Sequence, residues 1–238
     1  MPRIKKRISR QYSCNETRRE VSRIETFPNE LVSEVLARVA ASSVIDIINA
    51  KSSCKTFKEI GEDSYVYHHV SLDKLCTDSW TPLSEEQQAF LNKCWKSENP
   101  ELLYRQAVVD YFNGVDLESA CNQLHKAMKS SHIGALYVTC IILILNDDDK
   151  FKDKGIEIIS NMQKSASMRR KLISHRKNLM ESLRRMWVKN PILNQKPIFC
   201  KTPHRNRWRS GWRDMDAKLQ CQACCVDREI SAICGFFS

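Results

Sequence analysis

The sequence predicts an all-α protein: a three-helix unit near the N-terminus, a helical-repeat-like middle and a small, irregular, cysteine-rich end. Two observations carry that expectation. From Leu31 to Met186 the large apolar residues recur in clusters three and four apart, the spacing that lines one face of a helix. Helix starters and stoppers punctuate those clusters: Pro28, Ser42-Ser43, Gly61, Gly114 and Pro191.

Residues 1–24 have no apolar period and carry eight Lys/Arg against two acids, which reads as a basic disordered tail. Arg3, Lys5, Lys6, Arg7 and Arg10 form a cluster that could serve nuclear import. The first helix opens in Phe27-Pro28-Asn29-Glu30. Pro28 suits the first helical position, where its missing N–H costs nothing, and Glu30 puts negative charge where the helix dipole favours it. Leu31, Val32, Val35, Leu36 and Val39 then form one apolar stripe. Ser42 or Ser43 can cap a second helix filled by Val44, Ile45, Ile47 and Ile48. A third carries Cys54, Phe57 and Ile60 three apart and stops at Gly61, a natural C′ residue. Three helices in about 35 residues cannot bury this many apolar side chains among themselves, because so small a unit keeps most of its surface. The excess needs the rest of the chain or a partner.

The pattern Phe27-Pro28-x-Glu30-Leu31-x3-Val35-Leu36, a Val/Ile-rich second helix and Cys54-Lys55-x-Phe57 resembles the F-box family along residues 27 to about 70. Family members often carry Pro where Ala40-Ala41 stand and Trp where Phe57 stands, substitutions that keep the apolar character. The resemblance implies an F-box over residues 25–72 that docks a Skp-type adaptor and joins the chain to a cullin–RING ubiquitin ligase. It further implies that Pro28, Leu31, Val32, Val35, Leu36, Val39, Ile45, Ile48 and Phe57 face that adaptor or support the facing side chains.

Tyr65 to Leu72 is expected to lead out of this module as an extended or a packing segment. His68-His69 reads as packing rather than metal binding, because adjacent side chains point in different directions on either regular element. Residues 73–98 are expected to hold a linker and one helix, with Thr77 to Leu83 rich in turn formers and a helix start at Ser84-Glu85-Glu86-Gln87. A helical domain follows over residues 99–190. Leu102, Leu103, Ala107 and Tyr111 mark a helix ending near Gly114; Leu117, Ala120, Leu124 and Ala127 mark the next. Ala135, Tyr137, Val138, Ile141, Ile142 and Leu145 mark a buried helix, and Gly155, Ile156, Ile159 and Met162 another. Ala107-x3-Tyr111-x2-Gly114, Leu117-x2-Ala120-x3-Leu124-x2-Ala127 and Ala135-x-Tyr137 resemble the Sel-type and tetratricopeptide repeats for about one and a half units, and an ordinary helical domain fits as well. The exposed side of residues 99–162 is where a client protein would be held. Residues 164–190 read as one long basic helix with Met168, Leu172, His175, Leu179, Leu183 and Met186 as a narrow stripe, packed on its neighbours with its charges in water.

In the basic end, residues 191–238, Cys200-x3-His204 is followed by Cys221-x2-Cys224. Two close pairs of N/S donors suit tetrahedral zinc, with Cys225 and Cys234 as alternates to His204. The intervening residues have few large aliphatics, so a structural zinc ion would supply missing folding energy. Free thiols packed under Phe236 and Phe237 are the competing account. Some plant F-box proteins with a helical middle carry a cysteine-rich end of this general kind, although this one lacks the denser array of the MYND type. Cys14, Cys54, Cys76, Cys94, Cys121 and Cys140 are scattered and read as small core residues.

The bulk properties bound the function. The net charge of +10 is segregated, with sixteen Lys/Arg against three acids in residues 164–218 and an acidic middle. Mean hydropathy of −0.45 speaks for a soluble protein. The most apolar run, Ile133 to Leu145, falls short of the about 20 residues a bilayer span needs. The N-terminus lacks a signal-peptide core, and eleven cysteines then point to a reducing compartment, the nucleus and/or the cytoplasm. Six widely spaced glycines make no phosphate-cradling loop, and neither His-Glu-x-x-His nor Gly-x-Ser-x-Gly occurs, so no catalytic residue is expected. The expected role is a non-catalytic adaptor subunit that needs no cofactor to dock. The alternative is a zinc-stabilised nucleic-acid-binding protein using residues 164–218, where Trp208 and Trp212 stand among arginines.

Overall fold

The computed structural model describes residues 27–72, 83–186, 193, 198–202 and 221–234. The basic tail, residues 73–82 of the 73–98 linker and helix, His204, both tryptophans of the basic end, Cys14, Cys76, Phe236 and Phe237 lie outside the described residues. Within them the chain is all-α, with no strand. The helices are α1 (Asn29–Ser42), α2 (Val44–Ser53), α3 (Lys55–Ile60), α4 (Ser64–His69), α5 (Glu85–Lys96), α6 (Pro100–Asn113), α7 (Leu117–Lys129), α8 (Ile133–Ile144), α9 (Asp149–Lys164), α10 (Ala166–Arg185) and α11 (Gln222–Cys234). No helix among the described residues is long and apolar enough to cross a membrane.

Two hydrophobic cores organise them. The first is built by α1, α2, α4 and α5 around Leu36, Ala40, Ile47, Val66, Leu72 and Cys94. The second is larger, running from α6 to α11 around Phe112, Leu124, Tyr137, Ile141, Leu179 and Ile230. Burial of each such side chain contributes roughly 1.5–3 kcal/mol. Helix α8, with Tyr137, Val138, Cys140, Ile141 and Ile144 all buried, is the apolar centre of the second core. Helix α9 approaches it closely because Gly155 has no side chain: a Cβ there would sit 2.8 Å from Ile144 Cγ1 and 3.0 Å from the Cys140 carbonyl oxygen.

The local signals mostly act as expected. Ser43 caps α2 by accepting from Asp46 N–H, and Ser84 with Gln87 forms a reciprocal capping box on α5. Gly114 ends α6 in the left-handed conformation, φ 68°. Others act differently. Pro28 is the N-cap of α1 rather than its first helical residue; its carbonyl accepts from Leu31 and Val32 N–H. Gly61 has φ −68°, so its need for glycine is steric: a Cβ would lie 2.6 Å from Phe57 O and 2.7 Å from Lys51 Cγ.

Several expectations are corrected in whole or in part. The stretch from Tyr65 to Leu72 packs, with Val66, Tyr67, Val70 and Leu72 buried, but it is not extended: residues 64–69 form α4, capped by Asp63, whose carboxylate accepts from Tyr65 N–H at 2.8 Å. Aromatic and β-branched residues there suggest a strand, but burial of Val66 and Tyr67 against α1 outweighs that preference. The basic run does form one long helix as expected, with a later start: helix α9 extends to Lys164, the chain turns at the extended Ser165, and α10 runs to Arg185. Its stripe is packed as expected, with Leu172, Leu179 and Leu183 buried and Met168, His175 and Met186 half-buried. The cysteine-rich end is not irregular over 222–234. That stretch is α11, whose Val226, Ile230, Ile233 and Cys234 complete the second core, so it needs no core of its own. Of the scattered cysteines, Cys94 and Cys140 are buried, but Cys54 and Cys121 are exposed; Cys54 Sγ caps α3 by accepting from Phe57 N–H.

Asn99 joins the two cores. It is 1% exposed, and its Nδ2 donates to the carbonyls of Tyr67, His68 and Val70 at 2.9–3.1 Å. Its Oδ1 accepts from the N–H groups of Glu101 and Leu102, capping α6. One side chain thus serves both the C-terminal carbonyls of α4 and the N-terminal amides of α6.

Candidate functional site

Packing divides the apolar stripe of α1. Val32 and Leu36 turn into the first core and Val39 lies against it, whereas Leu31 and Val35, one turn apart, face solvent. Helix α2 divides in the same way: Ile47 is buried, Ile45 and Ile48 are not. With Phe27, which precedes the N-cap of α1, these exposed residues are five large apolar side chains, each 51–57% exposed, and the two helices that carry the other four pack on one another. Single exposed apolar residues mean little; five in this short stretch are apolar surface that the described residues do not cover. Phe57 is half-buried against the first core and supports this unit from α3. Ile48 also lines a cavity of about 510 Å³ with Ile47, Lys51, Cys54, Tyr67 and Phe90.

The polar groups around this face hold its helices in place. Glu34 of α1 accepts from Arg38 Nε at 2.8 Å and from the Tyr65 hydroxyl of α4, and these two bonds hold its carboxyl below its ordinary range. Under the cavity, Glu62 accepts from Lys51 at 2.5 Å, Lys93 at 2.6 Å and the Tyr67 hydroxyl at 2.9 Å. Partial burial works against ionisation of Glu62, but these three donors outweigh it and bring its pKa down to about 2. That network ties α2, α4 and α5 together. His68 Nδ1 meets the Ser97 carbonyl at 3.0 Å and His69 Nδ1 the Tyr65 carbonyl at 2.8 Å, the packing role expected of this pair.

At the other end, Cys200, Cys221 and Cys224 come together, their sulfurs all within 4.8 Å of one another. Cys200 and Cys221 sulfurs stand 3.4 Å apart, far beyond the about 2.05 Å of a disulfide. Such a trio can coordinate a metal. The alternates do not join it: Cys225 and Cys234 are buried elsewhere on α11, Cys234 within the second core. Burial, with Cys200 and Cys221 alongside, pushes the Cys224 thiol above its ordinary value. Cys221 Sγ accepts from Cys224 N–H at 3.3 Å.

Sequence reasoning missed the groups that fasten this cluster. Asp227, 6% exposed, accepts from Phe199 N–H at 2.7 Å and from Cys200 N–H at 3.1 Å. Glu229 pairs with Arg176 of α10 at 3.0 Å and accepts from the Tyr137 hydroxyl at 3.1 Å, a buried network pinning α11 to α8 and α10. The acids just beyond Cys224 were the available signal, but their partners are 27 to 92 residues distant.

Residues 72–184 match the family model of plant tetratrico peptide repeats, a span from the end of the first unit through most of α10. Two Arabidopsis thaliana proteins that bear F-box protein names are similar to the chain. One is 29% identical over 141 residues, 59% of this chain and 46% of that protein; the other is 26% identical over 126 residues, 52% of this chain and 76% of that protein. The chain thus spans about half the length of the first of them. No solved structure matches. The relationship these findings establish is a distant one, a low-identity match to plant F-box proteins that includes a tetratricopeptide-like repeat region.

Proposed function

We propose that this chain is a non-catalytic F-box adaptor subunit. It docks a Skp-type protein through the α1–α2 face and presents a client, held by the helical middle, to a cullin–RING ubiquitin ligase. The observation that carries the reading is the exposure of Phe27 just ahead of α1, of Leu31 and Val35 on α1 and of Ile45 and Ile48 on α2, while Val32, Leu36, Val44 and Ile47 of the same helices are buried. Pro28 sets the start of α1, while Val32, Leu36, Val39 and Phe57 support the face from beneath. The cavity beside Ile48 extends the apolar surface available to the adaptor. The chain contributes proximity: a client held near a charged ubiquitin carrier reacts at a raised effective concentration. Docking needs no cofactor. In the same reading a structural zinc ion, held by Cys200, Cys221 and Cys224 with His204 as the fourth donor of the spacing, braces the C-terminal end. The protein works inside the cell, in the nucleus and/or the cytoplasm.

The test is co-purification of the full chain with a Skp-type adaptor, wild type beside Leu31→Asp. Leu31 is exposed, so the substitution should change folding stability by no more than about 0.5 kcal/mol. In the complex it buries a carboxylate without a partner, and binding should be lost. Val32→Asp, at a 7% exposed position, should instead unfold the first unit. A Leu31→Asp variant that binds like wild type, or a wild type that binds no adaptor, overturns the reading. The nucleic-acid alternative rests on residues 164–218, whose α10 stripe is spent on the second core.

A further inference from the structure

We infer that Cys200, Cys221 and Cys224 bind zinc as a three-thiolate clamp that fastens segment 198–202 to the start of α11, with Asp227 as the residue that positions it. The inference rests on the zinc reading above and adds to it the geometry, the excluded alternates and the second sphere.

Tetrahedral zinc with bonds of about 2.3 Å holds its sulfurs about 3.8 Å apart. The observed sulfurs, one pair at 3.4 Å and all within 4.8 Å, bracket that separation, so small rotations of the side chains close the site. The three donors come from two segments that are 21 residues apart in sequence. Cys221 immediately precedes α11 and Cys224 lies in its first turn, one chelating pair; Cys200 sits in the middle of the short segment 198–202. The Cys224 N–H bond to Cys221 sulfur is of the kind that stabilises a thiolate. As the ion arrives each coordinating thiol gives up its proton to solvent, and no redox step is involved.

Asp227 makes the site more than a chance meeting of thiols. Its two carboxylate oxygens grip consecutive amides, Phe199 and Cys200, from the next turn of the same helix that carries Cys224. The third donor is thereby held against the other two before any metal binds. Metal sites depend on such outer groups, and their loss typically weakens binding by roughly 10–100-fold.

The experiment uses the full chain, reduced and refolded with zinc or cobalt as the only metal. Wild type should retain one zinc per chain, and its cobalt form should show sulfur-to-metal charge transfer with tetrahedral ligand-field bands. Cys221→Ser should lose stoichiometric metal, whereas Cys225→Ser should keep both metal and spectrum. Asp227→Asn should keep the spectrum but bind zinc more weakly by about 10–100-fold, with Asp227→Glu restoring part of the loss. Far-UV circular dichroism checks that each variant is folded; α11 retains its buried Glu229–Arg176 pair in all of them. Absence of metal from wild type, or its retention by Cys221→Ser, overturns the zinc reading and this inference together. Wild-type metal with an Asp227→Asn affinity equal to wild type overturns the positioning role alone.

Discussion

Replacing Asn99 should loosen the joint between the two cores, and by an amount that depends on the replacement. The side chain is 1% exposed and makes five hydrogen bonds, three donated from Nδ2 and two accepted by Oδ1. Two amide hydrogens serve three carbonyls, so at least one is shared. Asn99→Ala removes the α6 cap, at about 1 kcal/mol. It also strands carbonyls at the end of α4, and each buried acceptor left without a partner costs roughly 1–3 kcal/mol. The total, about 3–5 kcal/mol once shared bonds are discounted, is a large fraction of the 5–15 kcal/mol typical of a folded domain. Asn99→Asp separates the two roles. It keeps the cap and favours the helix dipole, yet it aims a buried carboxylate at the carbonyls of Tyr67, His68 and Val70 with nothing to donate. It should therefore be at least as damaging as alanine. Urea unfolding, read as midpoint and slope, measures both. An Asn99→Asp protein as stable as wild type, or an alanine variant within about 0.5 kcal/mol of it, would refute the idea that donation to α4 matters.

Two further outcomes can be checked on the same purified protein. Because the folded-state pKa of Glu62 is depressed to about 2 from 4.5, its contribution is fully present above 4.5 and is lost as pH falls from there towards 2; Glu62→Gln should flatten stability across that window, and an unchanged acid limb in pH-dependent unfolding would contradict it. Gly155→Ala should destabilise by about 1–3 kcal/mol despite alanine's better helix propensity, since the new methyl meets the fixed Cys140 carbonyl at 3.0 Å; a rise in melting temperature would show that α9 can retreat from α8 without cost.

Much of the helical layout was legible because its signals are local. A cap and its helix lie within four residues of one another, as with Ser43 and Asp46, Ser84 and Gln87, or Gly114 at the end of α6. The thiol cluster was half-legible for the same reason: Cys221-x2-Cys224 is a local chelating pair, and the spacing correctly included Cys200. Asp227 and Glu229 were not legible, since a carboxylate beside cysteines looks like any exposed acid until residues 199 and 176 are known to lie against it. For residues 64–69 the extended alternative failed in the opposite direction, their strand-like composition being overruled by packing against α1.

By itself, the amino-acid order determined that this chain would be helical, that its N-terminal helices would carry more apolar surface than they could bury, and that two thiols would stand close enough in the chain to form a pair. All three follow from periodicity and spacing, which act within a few residues. Only the tertiary structure decided which half of the α1 stripe faces water, that α11 belongs to the second core, and that Asp227 holds the segment carrying Cys200. Each of these depends on contacts between residues distant in sequence, where burial and the pairing of polar groups, rather than local preference, select the arrangement.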